Sequence, residues 1–408
     1  MLRQVVMVGA GQAAAQAIDT LRRRGYDSAI TLVGEEPLEP YQRPPLSKGY
    51  LAGTVEAERL LLRPARFYRD HGVDMRLGVR AAAIDRHHGR VELEGGGAIA
   101  YEALLLATGS RPLRLNVPGT DLEGVYYLRT AADARRLREA LAPGLRLVVI
   151  GGGYIGLEVA ATCRLRGLEV TVLERAERLL ARVASQPVSA CYAAEHVLHG
   201  VRVVCGTSVR AIVAADGSRK VAAVLCDDST YPADLVLIGV GVAPVDDLAA
   251  AAGLECSGGI VVNERCLTSD PRIHAAGDCT ISPSPRDGGH SRLESVDNAF
   301  EQGTRAGLDL LGLAPMHPTA PWFWSDQFDL KLVIVGLPRG HDRMIVRGVP
   351  ASRSFSVCYL AASELLAIET VNRGRDQIAA RKLIAARAPL DLRRLADPAV
   401  PLADCALA

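Results

Sequence analysis

The chain has 408 residues, of which 49% are hydrophobic and 23% charged, an ordinary globular composition that excludes disorder as its main state. The 47 basic and 46 acidic residues leave a net charge of +1, which argues against a dedicated nucleic-acid-binding protein. At roughly 150 residues per domain, the length predicts about three domains.

The chain begins with a strand–turn–helix–strand pattern. An apolar run over residues 4–8 leads into a glycine-rich turn, a helix-like stretch to Arg24 and a second strand that ends at Glu35. Residues 145–174 repeat this order. Such βαβ units build parallel sheets, so the sequence predicts an α/β fold with two dinucleotide-binding domains.

The C-terminal region has a different pattern. From about residue 316, four short strand-like runs (KLVIVG, RMIVRG, SFSVCYL and ELLAIET) follow at close spacing, before a helix-like run over residues 376–386. This order predicts a small α+β domain built around an antiparallel sheet.

The first glycine turn reads G-x-G-x-x-A. Gly9 permits a tight turn, Gly11 lets a pyrophosphate approach the backbone, and Ala14 lets the helix pack closely on the strand. The helix N-terminus then offers free N–H groups to the phosphates. Glu35, at the end of the second strand, can accept hydrogen bonds from ribose hydroxyls.

The second turn is a full G-x-G-x-x-G followed by an acid. A carboxylate at the end of the next strand would repel a 2′-phosphate, so this site predicts NAD rather than NADP, although Arg175 is a contrary hint. The predicted NAD-binding residues are Gly151, Gly153, Tyr154, Ile155, Gly156, Glu158 and Glu174. Two dinucleotide sites in one chain predict hydride transfer from a nicotinamide to a flavin.

The cysteines indicate reduced thiols in a cytoplasm. There are 9, they are scattered, and none has C-x-x-C spacing, so we predict no metal or iron–sulfur site. His196 and His199 also lack metal spacing and are expected on a helix surface. No apolar run is long enough to predict a membrane span.

Several long motifs together resemble one known family. They include YQRPPLSK (41–48), LLLATGSRP (104–112), LVVIGGGYIGLEVAATC (147–163), TSDPRIHAAGDC (268–279) and PWFWSDQFDLKL (321–332). The chain resembles the ferredoxin-reductase group of the FAD-dependent pyridine-nucleotide oxidoreductases, most closely the putidaredoxin reductase type. The resemblance covers nearly the whole chain. The redox cysteine pair of the disulfide reductases in this superfamily is missing from the first FAD segment.

The resemblance implies a glutathione-reductase-like architecture with two Rossmann-like domains and a C-terminal α+β domain. The FAD-binding domain would comprise residues 1–112 and 245–315, the NAD-binding domain 113–244, and the C-terminal domain 316–408. The FAD-binding residues implied by the matching motifs, together with the glycine turn, are Gly9, Gly11, Ala13, Ala14, Glu35, Arg43, Lys48, Ala81, Arg129, Asp278 and Val296. From the residues alone, Asp278 could instead cap a turn, and Arg43 and Arg129 could be solvated side chains.

Three residues are implied to be catalytic. Lys48 is the only lysine before residue 220 in an arginine-rich chain, and the family places it near the flavin. Glu158 would lie near the nicotinamide and could pair with Lys48, and Trp324 would lie beside the flavin ring. The plainer alternatives are a loop charge, a helix-surface acid and a core aromatic residue.

The sequence thus predicts a cytoplasmic NADH-dependent ferredoxin reductase with FAD and NADH as cofactors. Hydride would pass from NADH to FAD, and single electrons would pass to a 2Fe–2S ferredoxin that supplies a cytochrome P-450-type monooxygenase. The alternatives are the reductase of a Rieske dioxygenase system, an NADH oxidase, or a flavoprotein similar to apoptosis-inducing factor. We expect a monomer or weak homodimer, with no nucleic-acid or membrane partner.

Overall fold

The computed structural model describes residues 2–64, 66–284, 289–314 and 319–407. Its α-helices are numbered in chain order. They are α1 (Gln12–Arg23), α2 (Gly49–Ala52), α3 (Arg66–Asp70), α4 (Ala131–Ala140), α5 (Tyr154–Leu165), α6 (Gln186–Leu198), α7 (Asp247–Ala251), α8 (Val296–Leu310), α9 (Gly374–Ala386) and α10 (Leu392–Ala396). Short 3-10 helices span Pro44–Ser47, Ala57–Leu60, Pro350–Ser352 and Leu402–Cys405.

The strands are numbered in the same way. They are β1 (Gln4–Val8), β2 (Ala29–Gly34), β3 (Val73–Leu77), β4 (Ala81–Asp85), β5 (Arg90–Leu93), β6 (Ala98–Ala100), β7 (Ala103–Leu106), β8 (Ser110–Pro112), β9 (Val125–Tyr126), β10 (Arg146–Ile150), β11 (Glu169–Leu173), β12 (Arg202–Val204), β13 (Val209–Ala214), β14 (Val221–Cys226), β15 (Thr230–Pro232), β16 (Leu235–Ile238), β17 (Val242–Pro244), β18 (Ile260–Val261), β19 (Ile273–Ala275), β20 (Thr280–Pro283), β21 (His290–Ser291), β22 (Trp322–Gln327), β23 (Leu330–Gly336), β24 (Arg343–Val349), β25 (Ser354–Ala361) and β26 (Glu364–Val371).

The chain divides into two compact units. The first unit comprises residues 1–42, 57–111 and 242–318, and the second comprises residues 43–56, 112–241 and 319–408. The three domain ranges expected from the sequence stay a prediction, and the expected junction at residues 315 and 316 lies outside the described residues.

The first unit is built on a parallel sheet with strand order β19-β7-β1-β2-β3. Its central strand β1 is almost entirely buried because it has neighbours on both sides and helices α1 and α8 pack together over the sheet. Gly303 of α8 permits this close packing, since a Cβ there would lie 2.4 Å from the carbonyl oxygen of Ala13. Strands β4 and β5 belong to a separate antiparallel sheet with strand order β4-β5-β6, in which the buried residues Ile84 and Val91 lie opposite each other.

The second unit contains another parallel sheet, with strand order β12-β11-β10-β16-β9. Apolar residues of β10 and β16 are buried in register, with Val148 opposite Val236. Helix α5 follows β10 directly and packs against β10 and β11. A three-stranded antiparallel sheet, β13-β14-β15, shares its core with this sheet.

The second unit also contains an antiparallel sheet with strand order β22-β23-β26-β25-β24, and helix α9 packs on β23 and β26. Four of its strands and α9 correspond to the runs predicted from the sequence, whereas β22 and the short helix α10 were not predicted. The predicted fold class, two Rossmann-like sheets with a small α+β part, is confirmed.

Candidate functional site

The first glycine turn joins β1 to α1. Gly9 has φ +107°, and a Cβ there would lie 2.1 Å from the carbonyl oxygen of Ala107, so only glycine fits. Gly11 is the N-cap of α1, and a Cβ built on it meets no atom within 4 Å. The turn therefore leaves open space in front of a helix N-terminus, which fits a pyrophosphate.

The remaining predicted FAD-binding residues of the first unit lie at the ends of its elements. Ala13 and Ala14 are buried in α1, and Glu35 is exposed directly after β2. Ala81 begins β4 and Val296 begins α8, and both are half-buried. Asp278 accepts a hydrogen bond of 2.9 Å from the Ser110 hydroxyl, so its carboxylate is held by β8.

The other three predicted FAD-binding residues belong to the second unit. Arg43 donates a hydrogen bond of 2.7 Å to the carbonyl oxygen of Arg129, which brings these two arginines together. Lys48 follows the 3-10 helix Pro44–Ser47. The FAD-binding roles of Arg43, Lys48 and Arg129 stay predictions.

The second glycine turn repeats the first. Gly151 has φ +111°, and a Cβ there would lie 2.3 Å from the carbonyl oxygen of Gly239. Gly156 lets α5 pack onto the turn, since its Cβ would lie 2.3 Å from the Gly151 oxygen. Gly153 is the N-cap of α5, and a Cβ there would meet no atom within 4 Å. This turn also fits a pyrophosphate.

Glu174 supports the second turn directly. Its carboxylate accepts a 2.6 Å hydrogen bond from the Gly152 N–H and a 2.7 Å hydrogen bond from the Ala176 N–H. The sequence analysis predicted that Glu174 binds NAD and repels a 2′-phosphate, and it missed this contact, although the acid and the turn lie at adjacent strand ends. The NAD-binding role of Glu174 stays a prediction, and Arg175 is exposed beside it.

Tyr154 and Ile155 form the first turn of α5. The Tyr154 hydroxyl donates to the carbonyl oxygen of Val183 at 3.2 Å, and its ring lies 4.5 Å from that of Phe323 in β22. Burial raises the pKa of the Tyr154 phenol. Ile155 is 38% exposed, so its side chain is available to a ligand.

Lys48 and Glu158 form an ion pair, with Lys48 Nζ 2.6 Å from Glu158 Oε2. Glu158 is 5% exposed and therefore not a helix-surface acid. Its Oε2 also accepts from the Ser47 hydroxyl at 2.5 Å, and its Oε1 accepts from the Ser325 hydroxyl at 2.7 Å. Thr162 holds the loop by donating to the carbonyl oxygen of Ser47 at 2.9 Å. The Glu158 carboxylate, although buried, therefore has a partner on each oxygen: Lys48 and Ser47 on Oε2 and Ser325 on Oε1.

Strand β22 explains how Ser325 reaches Glu158. Side chains alternate along a strand, so Ser325 shares a face with Phe323 and Gln327, while Trp322 and Trp324 share the other. The two tryptophan rings stack with centroids 5.2 Å apart. Trp324 thus leaves the strand on the face opposite Ser325, and its proposed place beside the flavin stays a prediction. The polar residues of PWFWSDQ were a usable signal for Ser325 and Gln327 that the sequence reasoning passed over.

The expectation of a surface position for His196 is wrong. Its side chain has 0% exposure and lies on the side of α6 that faces β22. Burial lowers its pKa to about 4. The two cysteines that fall inside sequence motifs, Cys163 and Cys279, are both buried. Burial raises the pKa of the Cys163 thiol to about 12.

Comparison with known proteins decides the family. Residues 3–303 match the pyridine nucleotide-disulphide oxidoreductase family, and residues 322–406 match the reductase C-terminal family. The chain belongs to the pyridine nucleotide-disulphide oxidoreductases. It is 44% identical to putidaredoxin reductase CamA of Pseudomonas putida over 402 residues, which is 98% of this chain and 95% of that protein.

Two further similarities place it within this family. It is 42% identical to the anthranilate 1,2-dioxygenase system ferredoxin–NAD(+) reductase component of Burkholderia cepacia, over 97% of this chain and 98% of that one. A crystal structure of a covalent putidaredoxin reductase–putidaredoxin complex matches with a TM-score of 0.96 and 43% identity, covering 99% of this chain and 98% of that one.

This pyridine nucleotide-disulphide oxidoreductase is an enzyme that uses FAD and NAD(H), as predicted from the two glycine turns. All 9 cysteines are free thiols, and segment 41–48 carries none. Among the described residues, no cluster of three metal-ligating side chains occurs. No helix in that part of the chain is long and apolar enough to cross a membrane.

Proposed function

We propose that the protein is an NADH-dependent ferredoxin reductase. The overall reaction converts NADH and two oxidised 2Fe–2S ferredoxins to NAD⁺, two reduced ferredoxins and one proton. The observation that carries the proposal is the presence of two separate parallel sheets, each with a glycine turn whose N-cap glycine leaves open space before a helix. One cradle fits the pyrophosphate of FAD and the other that of NADH.

FAD supplies the chemistry that couples a two-electron donor to a one-electron acceptor. The chain's own residues hold and orient the two nucleotides. The first unit offers Gly9, Gly11 and Glu35 to FAD, and the second unit offers Gly151, Gly153 and Glu174 to NADH. The buried Glu158 carboxylate holds the Lys48 ammonium group in place through their ion pair. A positive charge near the flavin would stabilise the electrons that arrive on it.

The electron acceptor is proposed to be a small 2Fe–2S ferredoxin, because the two relatives compared above carry ferredoxin-linked names and the segment 41–48 has no cysteine for a redox disulfide. Purified FAD-loaded enzyme would be assayed for NADH-driven cytochrome c reduction with and without a 2Fe–2S ferredoxin. We expect strong stimulation by the ferredoxin. If the ferredoxin does not change the rate of NADH oxidation and oxygen is consumed instead, the protein is an NADH oxidase and the proposal is overturned.

The final oxygenase is proposed to be of the cytochrome P-450 type, with a Rieske dioxygenase as the second candidate. The 44% identity to putidaredoxin reductase supports the first, and the 42% identity to a dioxygenase-system reductase supports the second. Comparing kcat/KM for a ferredoxin from each type of system separates the two candidates, since the ferredoxin of the physiological class gives the higher value.

We further propose a cytoplasmic location, where 9 free cysteines stay reduced.

A further inference from the structure

A line of buried polar side chains extends from Glu158 to α6. Ser325 Oγ donates to Glu158 Oε1 at 2.7 Å, Gln327 Nε2 donates to Ser325 Oγ at 3.1 Å, and His196 Nε2 lies 2.9 Å from Gln327 Oε1. Ser325 and His196 have 0% exposure and Gln327 has 1%. These contacts are therefore made with water excluded, where each hydrogen bond is stronger and each unmade one more costly.

The direction of every hydrogen bond in this line is determined by chemistry. The Ser325 hydroxyl has one hydrogen, which it gives to the Glu158 carboxylate, so its oxygen must accept from the Gln327 NH₂ group. The Gln327 carbonyl oxygen then faces His196 and can only accept. His196 must therefore carry its proton on Nε2, and all the donors point toward Glu158.

The surroundings of His196 favour this single tautomer. Its Nδ1 is buried without a partner, which costs less for a lone pair than for an N–H group. Its ring lies 5.1 Å from that of Phe328 in an edge-on arrangement. Burial lowers its pKa to about 4, so the imidazole is neutral at physiological pH.

We propose that His196 is a positioning residue that acts through Gln327 and Ser325 to hold the Glu158 carboxylate against Lys48. With the His196 donor removed, the Gln327 amide can turn over and offer its oxygen to Ser325. The Ser325 hydrogen then leaves Glu158 Oε1, and the carboxylate shifts to recover a donor. The relevance of this line to hydride transfer rests on the proposed function, whereas its effect on the ion pair does not.

Lysine labelling can test the proposal, because the chain has only four lysines. The FAD-loaded protein would be labelled with ¹³C,¹⁵N-lysine and its side-chain signals recorded by NMR. Lys220, Lys331 and Lys382 serve as internal references. The variants are His196→Phe, which removes the donor, and His196→Gln, whose amide N–H can replace it. The matched control is His199→Gln. His199 directly follows α6, and its ring stacks on that of Phe328 with centroids 3.8 Å apart.

We expect His196→Phe to move the Lys48 signal by more than any reference lysine, His196→Gln to restore it, and His199→Gln to leave it in place. An unmoved Lys48 signal in a folded His196→Phe protein would overturn the proposal, and so would an equal shift in His199→Gln. If His196→Phe does not fold, ¹⁵N-histidine NMR of the wild type decides. The neutral Nε2–H form supports the proposal, and the Nδ1–H form overturns it.

The role of the Lys48–Glu158 pair in hydride transfer, which rests on the proposed function, is tested by a separate measurement. Anaerobic stopped-flow reduction by NADH should be slower in His196→Phe and restored in His196→Gln, with an unchanged Kd for NADH. A shifted Lys48 signal with an unchanged reduction rate would leave the positioning role intact and remove the Lys48–Glu158 pair from hydride transfer.

Discussion

The carboxylate of Glu369 in β26 accepts hydrogen bonds from Ser185, the N-cap residue of α6. The Ser185 N–H lies 2.9 Å from Oε1 and its hydroxyl lies 2.5 Å from Oε2. The Tyr359 hydroxyl also donates to Oε1 at 2.9 Å. The start of α6 is thereby tied to the C-terminal antiparallel sheet within the second unit, through a carboxylate that is 2% exposed.

Glu369 should make stability depend on pH. Burial raises the pKa of this carboxyl above the ordinary value of 4.5. Its stabilising contribution is therefore complete below the pKa of the unfolded chain and is lost as pH rises through the folded-state pKa. We therefore expect the unfolding free energy of Glu369→Gln, relative to that of the wild type, to increase as pH rises above 4.5. Urea unfolding over a pH series measures this, and a pH-independent difference would contradict it.

The open glycines should separate cofactor binding from folding. Gly11→Ala adds a methyl group where no protein atom lies within 4 Å, so it should weaken FAD binding with little loss of apoprotein stability. Gly9→Ala is the contrasting variant, because its Cβ would overlap the Ala107 carbonyl and its φ of +107° strains alanine by about 1–3 kcal/mol. FAD fluorescence titration and thermal unfolding give the two readouts. Equal stability losses in both variants would refute the cradle.

Gly153→Ala should act in the same way on the nicotinamide side. Its Cβ also meets no protein atom, and it lies in the second unit, away from the turn at Gly11 in sequence. We expect a raised KM for NADH with the bound FAD content unchanged. The flavin absorbance of the purified variant provides the control, and a variant that loses FAD but keeps its KM would reverse the assignment of the two turns.

Glu174 should discriminate against NADPH. A carboxylate repels a 2′-phosphate, and Glu174→Gln removes the charge while its amide oxygen can still accept from Gly152 or Ala176. We expect the preference for NADH over NADPH, measured as a ratio of kcat/KM values, to fall by about tenfold, which corresponds to about 1.4 kcal/mol. Arg175→Gln is the matched neighbour: it should lower NADPH use if its charge assists. An unchanged ratio in Glu174→Gln would exclude charge as the source of specificity.

The Lys48–Glu158 pair should show strong thermodynamic coupling. Removing one partner of a buried pair costs about 3–5 kcal/mol, and Lys48 is 21% exposed, so we expect Lys48→Met to lie near the lower end, at about 3 kcal/mol. The double variant with Glu158→Leu should lose less than the two single variants combined. Lys220→Met, at an exposed position, should change stability little. Additive losses would show that the two charges act independently.

The sequence predicted the features that are local in the chain. Both glycine turns lie between a strand and a helix that are readable from periodicity, and their acids lie one strand later. Lys48 and Glu158 are far apart in the chain, so their predicted pairing depended on a family resemblance rather than on spacing. The contact between Glu158 and Ser47, which are 111 residues apart, was not predicted. The burial of His196 was missed because the residues around it in α6 show no apolar stripe, and the partner that buries it is β22, a strand that was itself not predicted.

Residues 43–56 belong to the second unit although they interrupt the first in sequence, and this has a consequence for synthesis on the ribosome. At about 5–20 residues per second, the 111 residues between Ser47 and Glu158 take roughly 5–20 s to follow. During this time Ser47 and Lys48 of the segment 43–56 have no Glu158 to bind. Ser325 is synthesised later still. A fragment starting at residue 112 would lack Ser47 and Lys48, and its Glu158 carboxylate would keep only the Ser325 contact. We therefore expect such a fragment to fold less stably than the same residues in the intact chain.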